Sequence, residues 1–578
     1  MTDIVGSLRR GIALAGIALL TGCATTPAVR TGDAPGPLAS LQIIAFNDFH
    51  GHIGADDQTV LPPGSARDAP RVKAGGVLHF AAAIARLRAE NPNSAVVTAG
   101  DLIGASPLAS GHFLDEPTVR AMNAIGIDFS ALGNHEFDRG QAEVKRMQAG
   151  GCAKHTLLEP CQVMPDFQGA RFGFLAANTL QADGKSLFPA YGIKSFEIGG
   201  RTVRIGFVGM TLKGTPAIVS PKNVEGLSFA DEAATANALI PTLRAAGADI
   251  LAVLVHEGGS MKAEGDPADC ANMIGDLKPI LAGLDPAYEL VISGHTHQAY
   301  VCSYAPVDPS RPFLVTSAGQ YGTLLTRITL DYDLGTHRLV GKNAQNILIA
   351  QPAEDAAVQP EIAALVGRYE SAAAAVKNRV VGTVAGPLTN SADKSGQSTL
   401  GNFIADAQLA AMTEPALGGA QIAFMNPGGI RAPVTPTAAG EVHFGDLYAS
   451  QPFGNMLIVK TLTGAQIRQA LEYQFERGAR PTILSVSQGF RYRFDSSRPA
   501  GQRTFDLTLD GKPISDSASY RVAMSNFMGQ GGDGFTMFTD APLVGEGPSD
   551  LEALEAYVRA VPGRAVPALD RIRNVTPG

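Results

Sequence analysis

The stretch VISGHTHQAYV, from Val291 to Val301, joins a run of branched apolar residues to two histidines separated by one residue. The apolar run is typical of a buried strand, and Ser293 and Gly294 mark its end. His295 and His297 therefore follow at the point where the strand stops. A pair of imidazoles in that position indicates a ligand site beside the sheet.

Other predicted strands end in side chains of the same kind. Short apolar runs alternate with helical stretches from Leu41 onward, which predicts an α/β fold. The ends of strands that share one edge of a sheet can meet in one cleft. The polar residues at these ends are Asp48 and His50 in AFNDFHGHI, Asp101 in VVTAGDLIG, Asn134, His135 and Asp138 in SALGNHEFD, and His256 in LAVLVHEGG.

Burying so many carboxylates and imidazoles together is costly unless cations compensate them. Asp, Asn and His donors without Cys suit a hydrolytic pair of divalent ions about 3.5–4 Å apart. Zn, Mn, Co and Fe all accept these donors, so the metal stays open. A single Asp-x-His after a strand is about as often a solvated turn, whereas GNHE is a stronger signal.

A second set of motifs lies toward the C-terminus. NPGGIR offers Gly429 for close backbone approach and Arg431 for phosphate oxygens, although a surface turn with a solvated arginine fits that motif equally well. QPFGN and SNFMGQGGDGF add Phe453, Asn455, Phe527 and Asp533. Two aromatic rings from separate loops can stack on a base, and Asp533 can accept hydrogen bonds from a ribose.

The length of the chain, its net charge and its N-terminal segment limit the class of protein. A chain of 578 residues needs at least two domains, and a formal net charge of -8 argues against nucleic-acid binding. Arg9 and Arg10 precede a short apolar stretch with the layout of a secretory signal. Its LTGC ending resembles a bacterial lipoprotein box, which makes Cys23 the lipidated residue. An ordinary cleaved signal is the alternative.

The other four cysteines are even in number, as expected in an oxidising compartment. We expect Cys152 to pair with Cys161, and Cys270 with Cys302, because each pairing closes a loop within one region of sequence. Four unpaired buried thiols are the alternative.

Residues 24–40 are rich in Ala, Pro, Thr and Gly, and between Pro352 and Arg379 the composition shifts to Ala, Glu and Val with helical spacing, so the chain divides into five predicted segments. They are a signal peptide (1–22), a tether (23–40), the metal-binding domain (41–350), a linking helix (351–380) and a C-terminal α/β domain (381–578).

The ordered motifs resemble the calcineurin-like metallophosphoesterases, and NDFHGHI, GDLIGASP, GNHEFD and GHTHQ resemble their 5′-nucleotidase and UDP-sugar hydrolase branch. The resemblance covers nearly the whole mature chain. It implies a four-layer αββα metallophosphoesterase domain, a linking helix and a second α/β domain that recognises the substrate. Ala24 after the lipoprotein box implies the outer membrane.

The resemblance also implies residue roles. One metal would be held by Asp48, His50, Asp101 and His297, and the other by Asp101, Asn134, His256 and His295, with Asp101 as the bridge. His135 would stabilise developing charge or assist the leaving group, and Asp138 would orient it. Asn426 and Arg431 would lie near phosphate and ribose, Phe453 and Phe527 around the base, and Asp533 on the sugar. Lys394 would also bind substrate. The family commonly has Arg at this position and Glu where this chain has Gln397, which implies a different phosphate affinity or preferred leaving group.

We therefore expect a lipid-anchored, monomeric 5′-nucleotidase facing the periplasm, or a periplasmic or secreted one if the lipid box is not used. Hydroxide on the metals would attack the phosphorus of a nucleoside 5′-monophosphate in line. The alternatives are a 2′,3′-cyclic-nucleotide phosphodiesterase with 3′-nucleotidase activity, a UDP-sugar or dinucleotide pyrophosphatase, and a lipoprotein that binds nucleotides without hydrolysis.

Overall fold

The computed structural model describes residues 36–577, except 55–57, 64, 66–68, 157, 263–267, 352–358 and 477–480. The predicted signal peptide, Cys23 and most of the predicted tether lie outside the described residues. The first strand begins at Leu38, inside the predicted tether. Within the described ranges, no helix combines the length and the apolar character that crossing a bilayer requires.

Two six-stranded sheets form the centre of the N-terminal region. Their strands are β1 (Leu38–Phe46), β2 (Ser94–Thr98), β3 (Phe129–Ala131), β4 (Gly173–Leu175), β5 (Tyr191–Ile198), β6 (Arg201–Thr211), β7 (Ile250–His256), β8 (Leu290–Ser293), β9 (Ala299–Ser303), β10 (Leu314–Ala318), β11 (Leu324–Asp333) and β12 (Arg338–Leu348). The sheet orders are β12-β11-β1-β2-β3-β4 and β9-β10-β8-β7-β6-β5.

Most inner strands run parallel, so their carboxyl ends lie on one edge of each sheet. In the first sheet β1 to β4 are parallel neighbours, and β11 and β12 add antiparallel strands at one side. In the second sheet β6, β7, β8 and β10 are parallel, while β5 and β9 are antiparallel. This arrangement brings the polar residues after β1, β2, β3, β7 and β8 to one end of the region.

The alternation of side chains along the strands builds the layers. Ile43 faces the core between the two sheets, whereas its neighbour Ile44 faces the helices on the outer side. In β6, Phe207 faces the shared core and Val208 faces the opposite helical layer. Because both faces of each sheet are covered, these strands are almost continuously apolar.

Helices complete the two outer layers. The helices of this region are α1 (Val77–Glu90), α2 (Leu108–Gly111), α3 (Glu116–Ile125), α4 (Gln141–Ala149), α5 (Thr215–Ile218), α6 (Glu232–Ala245) and α7 (Leu277–Gly283). The first sheet packs against α1, α3 and α4, and the second against α6 and α7. The predicted αββα order of layers is confirmed.

Helix α8 (Pro360–Lys377) connects the two regions, within the stretch predicted as a linking helix. Val366, Tyr369 and Ala373 pack into the helical layer beside the first sheet. The rings of Tyr369 and Phe113 meet edge to face with centroids 5.2 Å apart.

The C-terminal region is a second α/β unit. Its helices are α9 (Thr399–Met412), α10 (Phe444–Ser450), α11 (Gly464–Tyr473), α12 (Asn526–Gly529) and α13 (Asp550–Ala560). Its strands are β13 (Ile422–Met425), β14 (Met456–Thr463), β15 (Ser485–Val486), β16 (Phe490–Phe494), β17 (Thr504–Leu509), β18 (Lys512–Pro513), β19 (Ser519–Ser525), β20 (Leu543–Ser549) and β21 (Ile572–Asn574). They form sheets with the orders β15-β13-β19-β14-β20 and β18-β17-β16-β21.

Short elements fill the connections. Two-stranded ribbons pair Thr59–Val60 with Val72–Lys73, Thr179–Leu180 with Ser228–Phe229, Ser260–Met261 with Met273–Ile274, and Val380–Thr383 with Glu441–His443. Single 3-10 turns cover His135–Phe137, Pro221–Val224, Cys270–Asn272, Pro415–Leu417, Pro427–Gly429, Gly532–Gly534 and Thr536–Phe538.

Candidate dimetal site

The seven predicted metal ligands come together where the parallel strands end. Asp48 and His50 follow β1, Asp101 follows β2, and Asn134 follows β3. His256 is the last residue of β7, and His295 and His297 follow β8. The sequence alone could place each residue at a strand end, but only the packing of the two sheets brings the ligands of the first sheet to those of the second.

The backbone at these strand ends is strained. Five of the seven residues have positive φ, a region that non-glycine residues seldom adopt. They are Asp48 (49°), His50 (47°), Asp101 (49°), His295 (67°) and His297 (58°). Strain of this kind persists only where the surrounding structure imposes it, and it concentrates at functional sites.

The ligand atoms form two groups that share a boundary. Asp48, His50 and His297 form one, and Asp101, His256 and His295 form the other, with the ligand atoms in each group within 4.8 Å of one another. Asp101 Oδ2 lies 3.0 Å from His256 Nε2 and 3.6 Å from His50 Nε2. One oxygen of Asp101 thus lies close to both groups, where a carboxylate could be shared by two cations.

The hydrogen bonds of the histidines show that cations fit here. His50 Nδ1 donates to the carbonyl of Gly104 at 2.8 Å, and His256 Nδ1 donates to the carbonyl of Ala99 at 2.8 Å. In a neutral ring each Nε2 then carries a lone pair. His50 Nε2 lies 3.1 Å from His297 Nε2, so the two ring nitrogens face the same point.

The second group is built in the same way. His256 Nε2 lies 3.2 Å from Asn134 Oδ1, and its other close neighbour is the Asp101 carboxylate. Burial acts to lower the pKa of His256, but Asp101 and Asp48 raise it to about 10. In place of ring protons, divalent cations can offset this much buried negative charge, and backbone carbonyls that accept from Nδ1–H hold the imidazoles in the orientation that metal-bound histidines usually have.

His135 and Asp138 form the predicted dyad beside the metal ligands. His135 Nδ1 donates to Asp138 Oδ2 at 2.9 Å, and its backbone N–H donates to Asp101 Oδ1 at 2.9 Å. Burial acts to lower the pKa of His135, but Asp138 and Asp101 outweigh burial and raise it. The carbonyl of Asp138 accepts from Asn223 Nδ2 at 2.7 Å, which holds the dyad against the segment after α5.

Glu136 ties together the two loops that carry Asp101 and Asn134. Its Oε1 accepts from the N–H groups of Leu102 (2.8 Å) and Ile103 (3.3 Å), and its Oε2 from those of Gly133 (2.5 Å) and Asp101 (3.1 Å). Burial and the Asp101 carboxylate raise the pKa of Glu136 to about 7. The four N–H donors favour the ionised form, and cations at Asp101 would favour it further. Nothing in the sequence had indicated a role for this glutamate.

A cavity of about 320 Å³ opens beside the dyad and is lined by both regions of the chain. Asn134, His135, Asp138 and His295 line it from the N-terminal side. All the predicted substrate residues except Lys394 line it from the C-terminal side, namely Asn426, Gly429, Arg431, Phe453, Asn455, Phe527 and Asp533. Their distant positions in the sequence thus converge on the metal ligands.

Contacts across the cavity link its residues directly. The rings of Phe453 and His135 are nearly parallel, 16° apart with centroids at 5.7 Å. The guanidinium carbon of Arg431 lies 5.9 Å from the centroid of the Phe453 ring. Asn426 Nδ2 donates to Asp533 Oδ2 at 2.7 Å, so these two polar groups lie side by side.

Lys394 does not line this cavity. It is exposed in a turn in which Asp393 Oδ1 accepts from the N–H of Ser395 at 2.8 Å, and its carbonyl accepts from Asn574 Nδ2 at 3.0 Å. Gln397 has a structural role instead, because Nε2 donates to the carbonyl of Ile572 at 2.9 Å and Oε1 accepts from the N–H of Arg571 at 3.0 Å.

Sequence reasoning missed several residues of the cavity. Ile218, Val219, Ser220 and Asn223 line it from the end of α5 and the segment that follows, which carry no motif. Ser220 Oγ also lies 3.2 Å from Gln530 Oε1 in the C-terminal region. Apolar residues and a serine outside any strand end give no signal that would have identified them.

Both expected disulfides are present. Cys152 is bonded to Cys161, and Cys270 to Cys302. The second joins the turn Cys270–Asn272 to β9, the strand that follows His295 and His297 in the chain.

Comparisons with known proteins agree with this geometry. Residues 41–299 match the family model described as calcineurin-like phosphoesterase, and residues 380–540 match that of the 5′-nucleotidase C-terminal domain. The chain is 24% identical to Protein UshA of Escherichia coli, over 96% of each chain. It is 29% identical to Endonuclease YhcR of Bacillus subtilis over 91% of this chain but only 40% of that protein, so it spans less than half of that relative.

A solved structure shares the architecture of both regions. The 5′-nucleotidase precursor from Thermus thermophilus superposes with a TM-score of 0.70 at 24% identity, covering 93% of this chain and all of that one. This likeness supports the fold of both regions together.

Proposed function

Because the chain belongs to the 5′-nucleotidase family of calcineurin-like metallophosphoesterases and is a metal-dependent hydrolase, we propose that it removes phosphate from nucleoside 5′-monophosphates. The observation that carries this proposal is the shared cavity. Dyad and metal ligands line one side of it, and two phenylalanines, an arginine and two paired polar side chains line the other.

We propose that Asp48, His50, Asp101 and His297 hold one divalent cation, and that Asp101, Asn134, His256 and His295 hold the other. Such a pair lowers the pKa of water and offsets the charge that develops on a phosphorus centre. Within the proposed site, Arg431 offers a planar fork of N–H donors that matches the phosphate oxygens.

His135 would serve the leaving group. Asp138 accepts from Nδ1, which leaves Nε2 as the nitrogen that faces substrate. A ring held in this orientation can give its proton to the departing 5′-oxygen of the ribose. Asp138 keeps the ring oriented and stabilises its protonated form.

The C-terminal side chains would select a nucleoside. Phe453 and Phe527 offer flat apolar surfaces to a base, and each stacked base contributes about 1–3 kcal/mol. Asp533, beside Asn426, is placed to accept from ribose hydroxyls. A substrate without a nucleoside would leave this half of the cavity empty.

A substrate panel tests the proposal. Protein reconstituted with Zn²⁺, Mn²⁺ or Co²⁺ is assayed on AMP, 3′-AMP, 2′,3′-cyclic AMP, UDP-glucose and NAD. We expect kcat/KM for AMP to exceed that of every other compound at least tenfold. A preference for UDP-glucose or NAD would identify a pyrophosphatase, and a preference for 2′,3′-cyclic AMP or 3′-AMP would identify the cyclic phosphodiesterase.

His135→Ala provides the control for catalysis. We expect this variant to bind AMP but to lose most of its turnover, because the proton donor to the leaving group is gone. Wild-type protein that binds AMP without hydrolysing it in any of the three metals would indicate a nucleotide-binding lipoprotein instead.

We also propose that the protein acts outside the cytoplasm, as a lipoprotein facing the periplasm. The two disulfides support an oxidising compartment. Fractionation of cells that express wild type or Cys23→Ser tests the anchor, since the variant should leave the membrane fraction. Wild-type protein found in the cytoplasm would contradict the proposal.

A further inference from the structure

Asp550, the first residue of α13, is a buried carboxylate beside the cavity. Asp550 is only 3% exposed to solvent. Oδ1 accepts from the N–H of Leu551 at 2.8 Å, and Oδ2 accepts from Asn455 Nδ2 at 3.2 Å. The N–H of Asp550 in turn donates to the carbonyl of Asn455 at 2.8 Å. Asn455 is therefore held to Asp550 at both its backbone and its side chain.

These bonds decide which end of the Asn455 amide is free. An ionised carboxylate can only accept hydrogen bonds, so it fixes the NH₂ group of Asn455 toward itself. Asn455 Oδ1 accepts no hydrogen bond from any described residue, and the atom is not fully buried. Since Asn455 lines the cavity with Phe453 and Phe527, its carbonyl oxygen is an open acceptor beside the place proposed for the base.

We propose that Asp550 is a positioning residue that turns the Asn455 carbonyl toward the base, so that the site prefers nucleotides whose base carries an exocyclic amino group. This inference rests on the proposed 5′-nucleotidase function. An amino group would donate to Oδ1, whereas a base without it would leave that oxygen unpaired once the cavity closes over it. Sites built to hydrogen-bond a substrate group reject analogues that lack the group.

AMP and purine riboside 5′-monophosphate test the preference, because they differ only in the 6-amino group. The assay is run at pH 8.5, since burial raises the pKa of Asp550 to about 7 and the carboxylate must be ionised. We expect kcat/KM of the wild type to favour AMP about tenfold, expressed mainly in KM, which corresponds to one lost hydrogen bond of about 1.4 kcal/mol.

Asp550→Asn removes the constraint, because an asparagine can both donate to and accept from Asn455. We expect the tenfold preference for AMP to fall to about twofold or less. Glu552→Gln is the matched control on the same helix, since the Glu552 carboxylate accepts from Ser549 in the capping box of α13 and, among the described residues, makes no hydrogen bond to Asn455. Glu552→Gln lowers the stability of the helix start and should keep the wild-type ratio.

Asn455→Leu supplies a second variant if Asp550→Asn does not fold, since it removes the acceptor and should abolish the preference. An unchanged ratio in Asp550→Asn or Asn455→Leu, or a wild type without preference for AMP, overturns the inference while leaving the proposed function intact. A wild type that hydrolyses neither nucleotide overturns both.

Discussion

Replacing Glu136 by glutamine should disable the site without removing a metal ligand. The carboxylate accepts four backbone N–H groups, two on each oxygen, from the loops that carry Asp101 and Asn134. Glutamine keeps one oxygen and turns an NH₂ group toward two of the four donors. Two buried N–H groups lose their acceptor, at a cost of about 1–3 kcal/mol each.

The expected free-energy loss is therefore about 2–6 kcal/mol, and it falls on the loops that position the bridging carboxylate. Displacement of catalytic groups by about 1 Å can lower turnover by about a hundredfold. We expect Glu136→Gln to unfold at a lower denaturant concentration than wild type in the presence of EDTA. We also expect its kcat with AMP at pH 8 to fall by at least about a hundredfold.

Glu143→Gln is the matched control. Both glutamates are 3% exposed, but Glu143 pairs with Arg146 on α4, away from the metal ligands. The control should lose stability and keep its turnover per folded molecule. Two results would refute the positioning role of Glu136. In one, Glu136→Gln unfolds in EDTA at the same denaturant concentration as wild type; in the other, its turnover stays within threefold of wild type.

Three further predictions concern the base, pH and the cations. Phe527→Ala should raise KM for AMP by roughly 5- to 150-fold, from about 1–3 kcal/mol of lost stacking, whereas Phe505→Ala, on β17 of the other sheet, should leave KM unchanged in the same assay. Burial raises the folded-state pKa of Asp550 to about 7, above about 3.9 in the unfolded chain, so its favourable contribution is complete below about pH 4 and lost as pH rises through about 7. Urea unfolding should show wild type losing up to about 4 kcal/mol relative to Asp550→Asn between pH 4 and pH 8, and parallel curves would contradict the shift. Adding Mn²⁺ or Zn²⁺ to chelator-treated protein should raise its melting temperature, and Asp101→Asn should reduce that rise; equal melting temperatures with and without cation would count against the dimetal site.

Local sequence was sufficient for the elements and their chemistry. Apolar runs such as VISG predict strands because burial on both faces requires continuous apolar residues, and the polar residues after them lie where strand ends can meet in one cleft. The disulfide pairs followed from the same locality, since Cys152–Cys161 and Cys270–Cys302 each close a loop within one region. The resemblance to a known family supplied the four layers.

Several outcomes depended on contacts that a sequence does not encode locally. The departure at Lys394 looked like a change in phosphate binding, yet a turn held by Asp393 keeps that lysine in solvent. Glu136 belongs to the GNHE motif but had no predicted role, yet its carboxylate accepts hydrogen bonds from backbone N–H groups on two different loops. The lining by Val219 could not be foreseen, because an apolar residue outside a motif has many possible neighbours.

What the sequence determined by itself is the set of donors, because the ends of buried strands are where polar side chains can gather without disrupting a core. What only the tertiary structure decided is which donors share an atom and which atom faces substrate. Asp101 Oδ2 reaches two histidines, and Asn455 turns its carbonyl outward, because residues far apart in the chain fix each side chain by hydrogen bonds. Such bonds depend on distances of a few tenths of an ångström, which packing sets and residue order does not.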